Sequence, residues 1–242
     1  MSSQPKSPQL FKGKNLRHVA FPMGGIGAGM ICLDGNGGFS HISIANRPEM
    51  FNEPCIFSAI CIKGDNNQAR VLEGPISTHK VFGVPGAGNG GRGRKPIGLP
   101  RFGDAEFHAR FPFGVVRLRD SKLPVTVNIT GWSPFIPGDA DNSSLPVAGI
   151  EYEFSNTSDE PIDLIYSFNS VNFIGRNNQK GVLKPFENSA VKVIDDGLLF
   201  QRLNETDPSK VDGSFAAIVR EKDVHVNGIL FRGAWFDPLT MA

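Results

Sequence analysis

Val125-Thr126-Val127-Asn128-Ile129 and Ile150-Glu151-Tyr152-Glu153-Phe154 alternate apolar and polar side chains residue by residue. A period of two sends successive side chains to opposite faces of an extended chain, so each segment reads as a β-strand with one face buried and one in water. Working outward, Val191-Lys192-Val193 and Val224-His225-Val226-Asn227 repeat the pattern, and further strands read at 162–171, 198–203, 215–220 and 229–236. Between them lie turn clusters, Ser155-Asn156-Thr157-Ser158-Asp159-Glu160-Pro161 and Ile194-Asp195-Asp196-Gly197, the latter with an Asp-Gly pair that favours a tight hairpin. No window of ten residues has a clean helical period. The reading is all-β: an antiparallel sandwich of two packed sheets with few or no helices.

The first half is less regular, yet 57–62, 69–72, 106–111 and 115–118 still read as strands, interrupted by Gly and Pro. The 28 Gly and 18 Pro among 242 residues punctuate the chain too often for long helices. No linker or repeat divides it, so the expectation is an N-terminal extension at 1–20 and one sandwich domain at 21–242. The Gly-rich stretch 86–96, with three cations and no apolar surface to bury, reads as a mobile surface loop.

Lys and Arg at 25 against Asp and Glu at 24 give a net charge of +1, which supplies no field for nucleic acid or an anionic membrane. No apolar run reaches the roughly 18 residues of a membrane-spanning helix. The polar start of the chain lacks the basic flank and apolar core of a secretory signal, so a cytoplasmic location is expected and the sequons at Asn128, Asn142, Asn156 and Asn204 are given no weight. Cys32, Cys55 and Cys61 sit among isoleucines without metal-ligand spacing, and read as buried reduced thiols.

Several segments invite a chemical reading. Phe21-Pro22-Met23-Gly24-Gly25-Ile26-Gly27-Ala28-Gly29-Met30 resembles a phosphate loop, but it lacks the terminal Gly-Lys-Ser/Thr, and Met30 stands where a dinucleotide fingerprint needs glycine. It reads instead as an irregular strand where another backbone or a second domain packs closely. Glycoside hydrolysis needs two carboxylates, one with a raised pKa. Glu49 with Glu53, and Asp139 with Asp141, are the candidate pairs, although all four sit in polar loops that use such residues as turns and caps. The histidines, His18, His41, His79, His108 and His225, are scattered singly and hold no metal motif, and no Gly-x-Ser-x-Gly elbow marks a nucleophile. Trp132 and Trp235 are the two indoles available to stack a sugar ring; the 19 Phe belong mostly to the core.

Gly24-Gly25-Ile26-Gly27-Ala28-Gly29, followed by Gly131-Trp132-Ser133-Pro134-Phe135-Ile136-Pro137-Gly138-Asp139 and Asp141-Asn142-Ser143-Ser144-Leu145-Pro146-Val147, resembles the N-terminal domain of glycoside hydrolase family 116, the family of non-lysosomal glucosylceramidase. The resemblance implies a β-sandwich packed on a C-terminal (α/α)6 catalytic barrel of the same polypeptide, whose Glu nucleophile and Asp acid/base hydrolyse β-glucosides with retention. Neither catalytic residue has a counterpart in this chain, which is expected to carry no catalytic residue, cofactor or metal and to brace the barrel. Gly24, Gly25, Gly27, Gly29, Arg47, Glu53 and Trp132 are the candidates for an interdomain or substrate-entrance surface. Two alternatives stay open: a freestanding sugar-binding or structural sandwich, favoured by an exposed Trp132 or Trp235 beside a polar groove, and a small hydrolase using Glu49 and Glu53.

Overall fold

The computed structural model describes residues 9–44, 48, 52–81, 98–174 and 189–228. In chain order its strands are β1 (Gln9–Lys12), β2 (Ala20–Met23), β3 (Met30–Asp34), β4 (Phe39–Ser43), β5 (Ile56–Ile62), β6 (Gln68–Val71), β7 (Asp104–Arg110), β8 (Phe113–Arg119), β9 (Val125–Trp132), β10 (Gly149–Asn156), β11 (Leu164–Ser170), β12 (Ser189–Ile194), β13 (Gly197–Leu203) and β14 (Val211–Ile218). Two four-residue helices, α1 (Thr78–Val81) and α2 (Ala140–Ser143), and a 3-10 turn at Gly13–His18 complete the described elements. The fold is an all-β sandwich, assembled as two compact units, 1–169 and 170–242.

The first unit is built on an antiparallel sheet in the order β1-β7-β8-β9-β10. Its registers place Phe11, Phe107, Val116, Ile129 and Tyr152 side by side across all five strands, on the face that is buried. One residue along, Lys12, Glu106, Arg117, Asn128 and Glu153 form the matching row on the outer face. The alternation of Val125-Thr126-Val127-Asn128-Ile129 thus fixes which side of β9 meets the core.

Two three-stranded sheets cover the buried face. In β2-β3-β4, the Phe21 ring lies 5.9 Å from that of Phe107, and Met23 and Leu33 crowd over Gly131. In β11-β5-β6, the buried Ser58 hydroxyl donates to the Tyr152 phenol at 2.9 Å and lies 3.0 Å from that of Tyr166, so both phenol oxygens stay satisfied inside the core. Burial pushes the Tyr152 phenol well above its ordinary range.

The second unit is the meander β12-β13-β14. Phe173 packs its ring 6.0 Å from Phe200 and 4.8 Å from Phe215, and the Asn172 side-chain amide donates to the carbonyls of Ala190 (2.9 Å) and Gln201 (3.1 Å). Neighbouring strands are held together by an aromatic cluster on one hand and by a side chain that takes up main-chain acceptors on the other.

The structure departs from several expectations. Val224–Asn227 carries no strand: four alternating residues become a strand only where a neighbour's edge pairs with them, and among the described residues β14 is paired to β13 alone. The turn between β12 and β13 is Asp195-Asp196; Gly197 is already paired with Ile194, and its lack of a Cβ serves the close approach of the Ala217 carbonyl, 2.0 Å from where that carbon would stand. Cys32 is buried, and burial beside the Asp34 carboxylate lifts its thiol to about 11, but Cys55 and Cys61 are only half-buried. Strands β1 and β4, and most of β3, lie where the sequence pattern was too short or too glycine-rich to read. The expected loop at 86–96 and strand at 229–236 lie outside the described residues.

Candidate functional site

The two sequence segments that carry the resemblance meet at one edge of the first unit. Strand β2 ends at Met23 and β3 begins at Met30; the six residues between form the turn that joins this antiparallel pair. Gly24, Gly27 and Gly29 take φ of 142°, 75° and 97°, a region that side chains other than glycine rarely adopt. Of the expected irregular strand at 21–30, residues 21–23 lie in β2 and Met30 opens β3, while 24–29 form the hairpin turn between them, and its glycines serve conformation first.

The second segment closes on this turn through the main chain. The Gly24 N–H donates to the Ser133 hydroxyl at 3.1 Å, and the Ile26 N–H donates to the Ser143 carbonyl at 2.8 Å. Gly25 lies flat against the segment: a Cβ there would stand 2.1 Å from the Leu145 carbonyl oxygen. The expectation of a close backbone approach at this glycine is met, with residues 144–145 as the approaching chain.

Local hydrogen bonds make the second segment rigid. Asp139 caps α2, accepting from the Asn142 N–H at 3.0 Å and from the Asn142 side-chain amide, and these bonds hold its carboxyl below the usual carboxylate range. Ser143, 1 % exposed, donates to the Ile136 carbonyl at 3.1 Å and accepts from the Ile136 N–H at 2.9 Å, which ties the two ends of the loop together. The Ser133 N–H donates to the Pro112 carbonyl at 3.3 Å, so the turn between β7 and β8 joins the same edge.

Trp132, at the end of β9, turns its indole onto the outer face of the large sheet. The ring lies on Gly149 of the paired strand, where a Cβ would stand 1.9 Å from Cε2, and Nε1 donates to the Glu151 carboxylate at 3.2 Å. The residue is half-buried rather than an open platform, and Trp235 lies outside the described residues.

Gly24, Gly25, Gly27, Gly29 and Trp132 are thus gathered along one edge, whereas Glu53 belongs elsewhere. Its carboxylate accepts from Lys80 of α1 at 2.9 Å, and Lys80 also pairs with Asp34. Burial alone would lower the Lys80 pKa, but Asp34 and Glu53 outweigh it and hold the ammonium raised and charged. Arg47 and Glu49 lie outside the described residues. Among the described residues no group of three His, Cys, Asp or Glu side chains is placed to hold a metal ion, and no helix is long and apolar enough to cross a membrane.

What the sequence reading missed at this edge is its apolar rim. Ile26 (60 % exposed), Phe111 (57 %), Phe135 (37 %), Ile136 (52 %), Leu145 (48 %) and Val147 (47 %) all stand open to water. The signal was present in apolar side chains set among Gly, Pro and Ser, where the chain turns too tightly to bury them.

The chain matches the family model for the glycosyl-hydrolase family 116 N-terminal domain, described as beta-glucosidase 2, over residues 20–238. No curated protein matches it. Both segments of the edge fall inside the matched range, and the chain belongs to the glycosyl-hydrolase family 116 N-terminal domain family.

Proposed function

We propose that this chain is the non-catalytic sandwich of a retaining β-glucosidase, bracing a C-terminal (α/α)6 catalytic domain of the same polypeptide, and that β-glucosides reach it only through that domain. The observation that carries this reading is how the chain's own carboxylates are used. Glu53 is tied to Lys80, Asp139 caps a helix, and Glu106 sits among Lys12, His108, Arg117 and Arg119. Among the described residues, the carboxylates whose pKa is displaced, Glu106, Asp120, Asp139 and Asp207, are all displaced downward. A glycosidase acid needs the opposite displacement. Cys32, Cys55 and Cys61 are not joined in disulfides, which fits a reducing, cytoplasmic compartment.

The test is hydrolysis of a chromogenic β-glucoside by the purified chain and by the polypeptide that joins it to its C-terminal domain. The expected result is turnover by the joined polypeptide alone. Turnover by residues 1–242 that disappears in Glu53→Gln would replace this reading with the small-hydrolase one.

A further inference from the structure

We propose that the apolar edge made by Ile26, Phe111, Phe135, Ile136, Leu145 and Val147 is the seat of the catalytic domain, an inference that rests on the reading above. The six side chains come from three separate stretches of chain and none is charged. Several are held in place: the Ile26 N–H donates to the Ser143 carbonyl at 2.8 Å, the Ile136 N–H donates to the hydroxyl of the same Ser143 at 2.9 Å, and the Phe111 and Phe135 rings lie 4.9 Å apart. Scattered exposed apolar residues need no explanation, but a group held in fixed positions marks a contact surface.

The glycine turn sharpens the case. Three glycines in left-handed conformations and a fourth pressed against Leu145 hold Ile26 outward at the tip, where it gains nothing from the fold of this unit. A backbone this specialised that ends in an exposed isoleucine makes physical sense when a partner covers the isoleucine.

The size of the edge selects the kind of partner. Interfaces between freely diffusing proteins use about 20 to 30 residues a side, many more than stand here. A domain on the same chain is held at an effective concentration on the order of millimolar, so a small apolar contact suffices to seat it. The matched domain is described as the N-terminal one of its family, and the C-terminal domain proposed above is such a tethered neighbour.

The experiment is hydroxyl-radical footprinting of residues 1–242 alone and of the full polypeptide, read by mass spectrometry at Phe111, Phe135, Ile136 and Leu145, with Val191 and Ile218 as reference positions. Labelling at the edge is expected to fall several-fold in the full polypeptide while the reference positions hold. Ile26→Asp and Ile136→Asp should each restore labelling of the remaining edge residues and lower the inactivation temperature of the full polypeptide. Both should leave the melting of residues 1–242 unchanged, because these side chains are already in water. Equal labelling of the edge in the two forms overturns the proposal, as does protection that appears in residues 1–242 alone on raising concentration, which assigns the edge to a second copy. Absence of β-glucosidase activity in the full polypeptide with the footprint intact would instead overturn the functional reading and leave the docking edge standing.

Discussion

Gly149 and Trp132 show how much one missing methyl group holds in place. An alanine at 149 sets its Cβ 1.9 Å from the indole, so the ring must leave the sheet and its bond to Glu151 breaks. Gly149→Ala is expected to cost about 1 to 3 kcal/mol, the usual range for forcing atoms into filled space. In a Trp235→Phe background it should also red-shift the remaining indole emission; unchanged emission would falsify the packed-ring geometry. Glu106 makes a second prediction at this scale. Its carboxyl is pulled down to about 2, first by the hydrogen bond from Lys12 and then by His108 and Arg119, from an ordinary value of 4.5. A depressed folded-state pKa contributes stability that is complete above the unfolded value and is lost as pH falls through the folded one. Glu106→Gln should therefore be less stable than the parent at pH 7 by on the order of 1 kcal/mol, since the cations around it are half-exposed and screened. Urea titrations of both proteins should converge between pH 4.5 and about 2; a constant gap across that window refutes the assignment. The sequence showed the residue types at both places, but the cross-strand registers that set Trp132 on Gly149 and Lys12 beside Glu106 are tertiary facts.

At the scale of elements, α1 is only four residues long and is fastened by Lys80, which reaches Glu53 before β5 and Asp34 at the end of β3, where the Ser40 hydroxyl also donates to Asp34. Removing the ammonium leaves two carboxylates in a poorly solvated site. Lys80→Met is expected to destabilise the protein by on the order of 3 kcal/mol, and Lys80→Met with Glu53→Gln should recover part of that loss in thermal melts; a double variant no better than the single one argues against the ion cluster. The turn between β2 and β3 makes a parallel case. Gly25→Ala forces its new methyl against the Leu145 carbonyl and should free the Ile26 amide from Ser143, seen as faster amide exchange at Ile26 and Gly24. Persistent protection at both amides would mean that the two segments do not depend on this contact. Strands β9 and β10 were legible because five residues of each alternate cleanly in sequence, and β7 and β8 because apolar side chains cluster between Gly and Pro breaks. Of the shorter β1 to β4, only β2 and the start of β3 fell in a segment read as strand; β1 and β4 carry too little period in four or five residues to be read.

For the whole molecule, each unit has a core of its own: Phe107, Val116 and Ile129 in the first, Phe173, Phe200 and Phe215 in the second. Phe200→Ala, a loss of about 3 to 5 kcal/mol for a buried aromatic, should speed amide exchange in β12 to β14 far more than in β7 to β10. Uniform acceleration across all these strands would instead mean that the two units unfold as one. Sequence alone determined the fold class, because strand periodicity and the density of Gly and Pro are local properties that tertiary contacts had only to accept. It also determined the family, through two motifs more than a hundred residues apart. Only the tertiary structure decided that those motifs touch, that Glu53 is spent on Lys80, and that a row of apolar side chains stands open beside the glycine turn. The physical reason is that burial, pairing and charge compensation depend on which distant segment arrives next to a residue, and no local pattern along the chain encodes that arrival.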